Sequence, residues 1–125
     1  MKEYVIGTTE QFPPGSHQVV EVDGRSIGVY NLGGELYALR NFCPHQGAPL
    51  CRGLVTPLVT SPAPGQFELE RHGEIVRCPW HQWEFDIKTG CVVVDPRMKT
   101  RTYDVKVDRY DISEGEGGQV FLCLP

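Results

Sequence analysis

Long apolar runs are missing from this chain. The longest, Val120-Phe-Leu-Cys-Leu124, is five residues in a sequence of 125. Spanning a bilayer takes roughly 18–20, and Met1-Lys2-Glu3-Tyr4 opens no apolar signal core. Neither a membrane span nor a secretory signal is expected, and a cytoplasmic location follows from that reading. Positive charge is scarce as well. Twelve Lys plus Arg against 16 Asp plus Glu leave a formal net charge of −4, which argues against nucleic acid as a partner, because phosphate binding needs clustered cations. Helical periodicity is hard to find anywhere. Histidine is rare: there are four, and two of them stand within three residues of a cysteine.

What is present reads as one globular domain, 1–125. The 40% hydrophobic and 22% charged fractions are ordinary for such a domain. Fourteen glycines and ten prolines, spread along the chain, point to short elements joined by tight turns. Strand-like runs lie at 17–22, 25–31 and 35–40, separated by Asp23-Gly24 and Gly33-Gly34, and two-residue loops of that kind are strong hairpin signals. Further strands are expected at 66–71 and 74–77, flanking a His72-Gly73 turn, and at 83–87, 91–94, 102–108 and 119–124. The sum is an antiparallel all-β domain of about nine strands. Two stretches resist a strand assignment. Residues 43–65 hold five prolines and read as a long loop. Residues 111–118 are acidic and glycine-rich and read as a mobile turn.

The chemistry concentrates at Cys43-Pro44-His45 and Cys78-Pro79-Trp80-His81. Each follows a predicted strand, so two loops each offer a thiolate and an imidazole, a four-ligand metal site of Cys₂His₂ composition. Proline after each cysteine stiffens the loop, and Gly47 permits a tight turn near the sulfur. Structural zinc is compatible with that composition, although zinc fingers usually place Cys with Cys and His with His, whereas here the pairs are mixed.

These residues resemble the Rieske iron–sulfur family, and specifically its soluble ferredoxins of ring-hydroxylating dioxygenases. Cys43-Pro-His-Gln-Gly-Ala-Pro-Leu50 is similar to the family's first loop, C-x-H-x-G-x-x-L. Cys78-Pro-Trp-His-Gln-Trp-Glu-Phe-Asp-Ile-Lys-Thr-Gly90 is similar to the second, C-P-x-H-G-x-x-F-[DN]-x-x-T-G. The likeness extends to Pro13-Pro14-Gly15, the Asn31–Arg40 hairpin, and Pro96 before Tyr103-Asp-Val-Lys-Val107. It implies a Rieske-type antiparallel β-sandwich or barrel with a cluster-binding subdomain made of two loops, 43–50 and 78–90. It also implies one two-iron two-sulfur cluster, with Cys43 and Cys78 on one iron and His45 and His81 on the other. Neutral imidazoles in place of thiolates remove negative charge and raise the potential into a range of about −150 to +300 mV.

The departures narrow the type. High-potential members carry two further cysteines, in a disulfide, where this chain has Ala48 and Trp80. They carry a Ser and a Tyr at Trp83 and Phe85, whose hydroxyls raise the potential. They are also membrane-anchored, and no anchor is seen here. All three differences favour a low-potential ferredoxin. Gln82 replaces a usual glycine; if that position needs a positive φ, Gln82 is strained. The 32 residues between His45 and Cys78 exceed the family's usual separation, and the excess reads as an inserted flap at 52–70.

The resemblance implies a one-electron carrier, not an enzyme, working between a flavin-dependent reductase and a terminal oxygenase, and a monomer. The Rieske subunit of a two-chain oxygenase and a redox-sensing module are the alternatives. Catalysis within this chain would need a mononuclear iron on two His and a carboxylate, and only His17 and His72 remain, in separate hairpins. Cys51, Cys91 and Cys123 read as small hydrophobes. Arg97, Lys99 and Arg101 read as a solvated basic stretch. Pro44, Gln46, Pro49, Leu50, Trp80, Gln82 and Trp83 are expected to surround the ligating histidines as a docking surface.

Overall fold

The computed structural model describes residues 2–44, 47–80, 82–112 and 115–124. They form nine strands and two short 3₁₀ turns, Thr9–Gln11 and Leu50–Arg52, with no α-helix among the described residues. The strands are β1 (Lys2–Thr8), β2 (His17–Val22), β3 (Arg25–Leu32), β4 (Glu35–Arg40), β5 (Val55–Ala63), β6 (Gln66–Arg77), β7 (Glu84–Asp86), β8 (Thr102–Ile112) and β9 (Gly115–Leu124). Every pairing is antiparallel, so the all-β expectation holds. The chain divides into two compact units, Met1–Arg40 with Arg101–Pro125, and Asn41–Thr100.

The first unit is a six-stranded sheet of order β1-β9-β8-β4-β3-β2. Asp23 and Gly24 (φ 50° and 73°) and Gly33 and Gly34 (φ 65° and 101°) make the two-residue turns with positive φ at both positions that match strand twist. Asn31 locks the second turn. Its side-chain amide donates to the Phe12 carbonyl (2.7 Å), and its carbonyl oxygen accepts the Gly34 N–H (2.8 Å). Alternate residues Val120, Leu122 and Leu124 of β9 face one core with Ile27, Val29, Ala38, Phe12 and Tyr103, the period of two that a half-buried strand imposes. Each fully buried Val, Leu or Ile among them contributes about 1.5–3 kcal/mol.

The second unit holds a three-stranded sheet of order β5-β6-β7 and both cysteine loops. Among the described residues its buried apolar side chains are Ala48, Leu50, Cys51, Ile75, Val76, Phe85, Ile87 and Val92 together with Cys43 and Cys78.

Four local expectations are corrected. Residues 55–63 are strand, not loop. β5 lies at the edge of its sheet, where proline removes no needed donor, and the register shifts between Thr56 and Leu58 and between Thr60 and Ala63. Those breaks bracket Pro57 and Pro62. His72-Gly73 is not a hairpin turn. β6 runs through it, and the pairing jumps from Leu58↔Glu70 to Thr56↔Ile75, a wide bulge with Gly73 at φ 77°. Residues 91–94 form only isolated bridges, Phe85↔Val92 and Cys91↔Lys99. The β8–β9 ladder extends to Ile112↔Gly115, through most of the stretch expected to be a mobile turn; residues 113 and 114 lie outside the described residues. β1, which the sequence did not announce, pairs with β9 through a bulge between Val5 and Gly7 that leaves Ile6 as the extra residue.

Candidate metal centre

Both cysteine loops close in the same way. The Cys43 carbonyl accepts the N–H of Gly47 (2.7 Å), and the Cys43 N–H donates to the carbonyl of Ala48 (2.9 Å). The Cys78 carbonyl accepts the N–H of Gln82 (2.9 Å), and the Cys78 N–H donates to the carbonyl of Trp83 (2.7 Å). The partners stand four and five residues after the cysteine in each case. The fourth residue has a positive φ in both loops, 76° at Gly47 and 60° at Gln82. Pro44 and Pro79 occupy the next position after each cysteine, where the missing N–H is not called on and a fixed φ pre-forms the turn. Both cysteines are buried and none of the five is in a disulfide.

His45 and His81 lie within these closures in sequence, at the second and third places after their cysteines. Both, with Gln46, lie outside the described residues. Among the described residues no three of His, Cys, Asp and Glu gather as a metal site. The donor set still suits a thiophilic metal group: two buried thiols, each held at the mouth of a backbone turn and neither used in a disulfide, are ligands for iron–sulfur or zinc chemistry.

The surroundings of the loops differ. In the first, the Phe42 ring covers Gly47, and a Cβ at that glycine would come within 3.0 Å of Cε2. The Phe42 carbonyl accepts the Thr100 hydroxyl (2.9 Å), and the Asn41 side chain accepts the Cys51 N–H (2.7 Å). In the second, Arg77 precedes the cysteine and pairs with Glu84 (3.6 Å). A Cβ at Gly53 would collide with the Arg77 carbonyl, so the turn Leu50–Arg52 and the end of β6 meet backbone to backbone. The Arg77 N–H donates to the Leu54 carbonyl (2.8 Å), Arg77 pairs with Glu84 across β6 and β7, and the Val93 N–H donates to the Glu84 carbonyl (2.9 Å). Leu54, Arg77, Glu84 and Val93 therefore form one row across the sheet, one residue from Cys78. Past β7 the chain turns sharply. The Gly90 N–H donates to the Asp86 carbonyl (2.7 Å), and the Lys88 N–H to the Asp86 carboxylate (3.0 Å). This is the Asp-Ile-Lys-Thr-Gly segment of the second motif.

The expected docking residues divide. Trp80 (56% accessible) and Gln82 are exposed, Pro44, Pro49 and Trp83 are half-buried, and Leu50 is a core residue. Gln46 lies outside the described residues. Leu50 is a correction: its 3₁₀ turn folds it inward beside Cys51. Sequence reasoning missed Leu54 (71%) and Val94 (88%); Leu54 is one end of the row, and Val94 follows Val93 at the other. Nothing in the sequence distinguishes them from buried strand residues.

Among the described residues the remaining candidates do not gather into a group of three or more metal ligands. Cys51 is buried, and Cys91 and Cys123 are half-buried. His17 stacks on Tyr30 (5.2 Å), and the side chain of His72 lies outside the described residues. Arg97 clamps Asp95 through Nε (3.0 Å), and that bond, with the Arg97 backbone N–H, holds the Asp95 carboxyl below its ordinary value. No helix among the described residues is long and apolar enough to cross a membrane.

Comparison with known proteins agrees with the motif reading. Residues 2–111 match the model of the Rieske [2Fe-2S] domain. The ferredoxin component of the naphthalene 1,2-dioxygenase/salicylate 5-hydroxylase systems of Ralstonia sp. is 31% identical over 100 residues, which are 79% of this chain and 81% of that protein. Among solved structures, the ferredoxin of carbazole 1,9a-dioxygenase from Nocardioides aromaticivorans IC177 superposes with a TM-score of 0.69 at 26% identity and covers the whole of both chains. A complex of reduced oxygenase and oxidized ferredoxin in carbazole 1,9a-dioxygenase shares the fold at a TM-score of 0.64 and 22% identity, over 97% of this chain and 92% of that one.

Proposed function

This chain belongs to the Rieske [2Fe-2S] domain family, and from that premise we propose that it is the ferredoxin of a dioxygenase-type system, one domain spanning 1–125 that carries electrons singly and is not itself a catalyst. Its relatives are ferredoxin components, which favours a carrier over an oxygenase subunit or a sensor. Cys43 and Cys78 would hold one iron of a two-iron two-sulfur cluster, and His45 and His81 the other. The cluster, when bound, supplies reversible one-electron chemistry at a potential above that of all-thiolate clusters. The single observation that carries this reading is the matched closure of the two loops around two buried cysteines.

The chain's own part is to position and to shield. The paired backbone bonds set each thiol at a defined place in its turn, and the burial of both cysteines keeps bulk water from them. Trp80, Leu54 and Val94 leave apolar surface exposed, as interaction sites do. Electron-transfer encounters use small interfaces, below about 1,200 Å². A flavin-dependent reductase would reduce the protein and a terminal oxygenase would accept the electron; an oxygenase occupies that place in the related complex. A monomer in the cytoplasm fits this role. The absence of a disulfide at Ala48 and Trp80 and of hydroxyls at Trp83 and Phe85 supports a potential in the lower part of the range of about −150 to +300 mV.

The test is composition and spectroscopy together. Protein from iron-replete cells should contain two irons and two acid-labile sulfides per chain, as a Rieske cluster requires, and give the low-g electron paramagnetic signal of a His-ligated cluster when reduced. One zinc and no sulfide would refute the assignment.

A further inference from the structure

Among the described residues only two that are not glycine adopt a positive φ, Asp23 and Gln82. Asp23 opens the Asp23-Gly24 hairpin turn, where aspartate is a preferred residue. Gln82 has no such account. The chain itself supplies the control: the first loop makes the same turn, with the same pair of bonds, and places Gly47 there. A left-handed conformation crowds Cβ against the following carbonyl in any residue but glycine. Gln82 thus carries a side chain where the backbone favours none.

Among the described residues nothing bonds to that side chain. It is exposed, and its carboxamide makes no hydrogen bond among the described residues. Exposed Pro79 and Trp80 stand in the same loop. Strain that persists without an internal contact to hold it points outward, to function.

We propose that Gln82 is a partner-recognition residue: its carboxamide pairs with a main-chain peptide group on the terminal oxygenase that docks over the Cys78 loop. This rests on the carrier reading above. A carboxamide presents a donor and an acceptor together, which matches the paired N–H and C=O of exposed backbone. A charged group on the partner would be met better by a charged residue. The contact is neutral, so its contribution is insensitive to ionic strength.

Cluster-loaded wild type, Q82G and Q82N separate the possibilities. Both variants should melt about 2–4 °C higher, asparagine because it tolerates the left-handed region better than glutamine, and both should keep the wild-type visible circular dichroism. Electron transfer to the oxygenase component of the naphthalene 1,2-dioxygenase system should be about three- to tenfold slower for Q82G, equally so at low and high salt. Q82N, which keeps the amide, should stay near wild type. Oxidation by ferricyanide, which needs no docking, should be the same for all three. A Q82G that melts lower or has an altered spectrum overturns the proposal, because the side chain then serves the fold or the cluster. Equal transfer rates for wild type and Q82G overturn it while leaving the carrier reading intact. A wild type that reacts with ferricyanide but not with the oxygenase removes the partner reading, and this proposal with it.

Discussion

The loop after Cys43 and the loop after Cys78 reach one backbone geometry by different means. The first uses a glycine at the strained position, roofs it with Phe42, and ties the chain on either side through Thr100 and Asn41. The second accepts a glutamine there, is preceded by the Arg77–Glu84 pair, and leaves Trp80 in solvent. One loop is built for its own stability and the other for what lies outside it. The difference teaches that a turn of this kind is specified by its hydrogen bonds, and that the residue at its left-handed position reports which demand prevailed, folding or, as proposed for Gln82, recognition.

If the loops are equivalent as ligand carriers, removing either thiol should have the same consequence, and this is the largest effect expected. Cys43→Ser and Cys78→Ser should each abolish cluster assembly, because thiolates hold the iron and a hydroxyl is a poor substitute. Cys91→Ser and Cys123→Ser should assemble normally. Iron and sulfide analysis reads all four. A cluster retained in one of the first pair would show that the loops are not equivalent, and that Cys51 or another ligand had stepped in.

Next in size are the glycines. Gly53→Ala drives a Cβ into the Arg77 carbonyl, backbone against backbone, and should destabilise the folded protein by about 3 kcal/mol or more. Gly47→Ala meets only the edge of the Phe42 ring, 3.0 Å away, plus the left-handed penalty, and should cost about 1–2 kcal/mol. Chemical denaturation followed by far-ultraviolet circular dichroism would rank them. In the Phe42→Ala background the alanine at 47 should lose the steric part of its effect and keep the conformational part. If Gly47→Ala is as mild as a surface change, glycine is not what the first loop requires, and the contrast with Gln82 weakens.

These comparisons also explain what could be read without coordinates. The Asp23-Gly24 and Gly33-Gly34 hairpins and the mixed Cys/His pairs were legible because each depends on a few neighbouring residues whose local chemistry decides the outcome. β1 was not legible. Its sequence, Lys-Glu-Tyr-Val-Ile-Gly-Thr, interrupts the alternation with a bulge at Ile6 before the glycine, and pairing with β9 alone makes it a strand. β5 was hidden by prolines that an edge strand tolerates. Residues 91–94 have a strand's composition, but their bonds go to two different segments, from Val92 to Met98 and from Val93 to Glu84, so they make isolated bridges and no ladder. The exposure of Leu54 and Val94 is set by tertiary arrangement and leaves no local mark. Gln82 was legible as a departure from a motif; that its φ is 60° needed the structure.

A smaller effect probes the electronic side of the contrast. Phe85 is fully buried and pairs with Val76, two residues from Cys78 in the register of β6 and β7. Phe85→Tyr adds a hydroxyl on the second loop's side only. If that hydroxyl donates to a ligand sulfur, a hydrogen bond of about 1 kcal/mol corresponds to a rise of about 40 mV for a one-electron couple. Protein-film voltammetry checks it. An unchanged midpoint would mean that the second loop gains no electronic handle from position 85, leaving its distinction from the first purely steric.

The smallest effect asks whether the second loop leans on its neighbour. The turn after Val94 is clamped by Arg97 on Asp95, and the strand-like stretch before it reaches β7 through the Val93–Glu84 bond. The Asp95 carboxyl is held below its ordinary value by the Arg97 side chain first and by the Arg97 backbone N–H second. A depressed folded value places the stabilisation above the unfolded carboxylate range near 3.9, and it is lost only as pH falls through the lower, folded value. At neutral pH the clamp is therefore complete, but it is a solvent-exposed pair, and such pairs contribute little to stability. Arg97→Ala should leave the melting temperature at pH 7 within a degree or two of wild type and leave the cluster spectrum unmoved. Any difference between the two proteins should shrink as the pH is lowered, since protonating Asp95 dismantles the same contact in the wild type. A cluster signal that weakens in Arg97→Ala at pH 7 would mean that the Cys78 loop is held through this turn as well as through its own two bonds, and that the self-sufficiency shared by the two closures does not extend to the second.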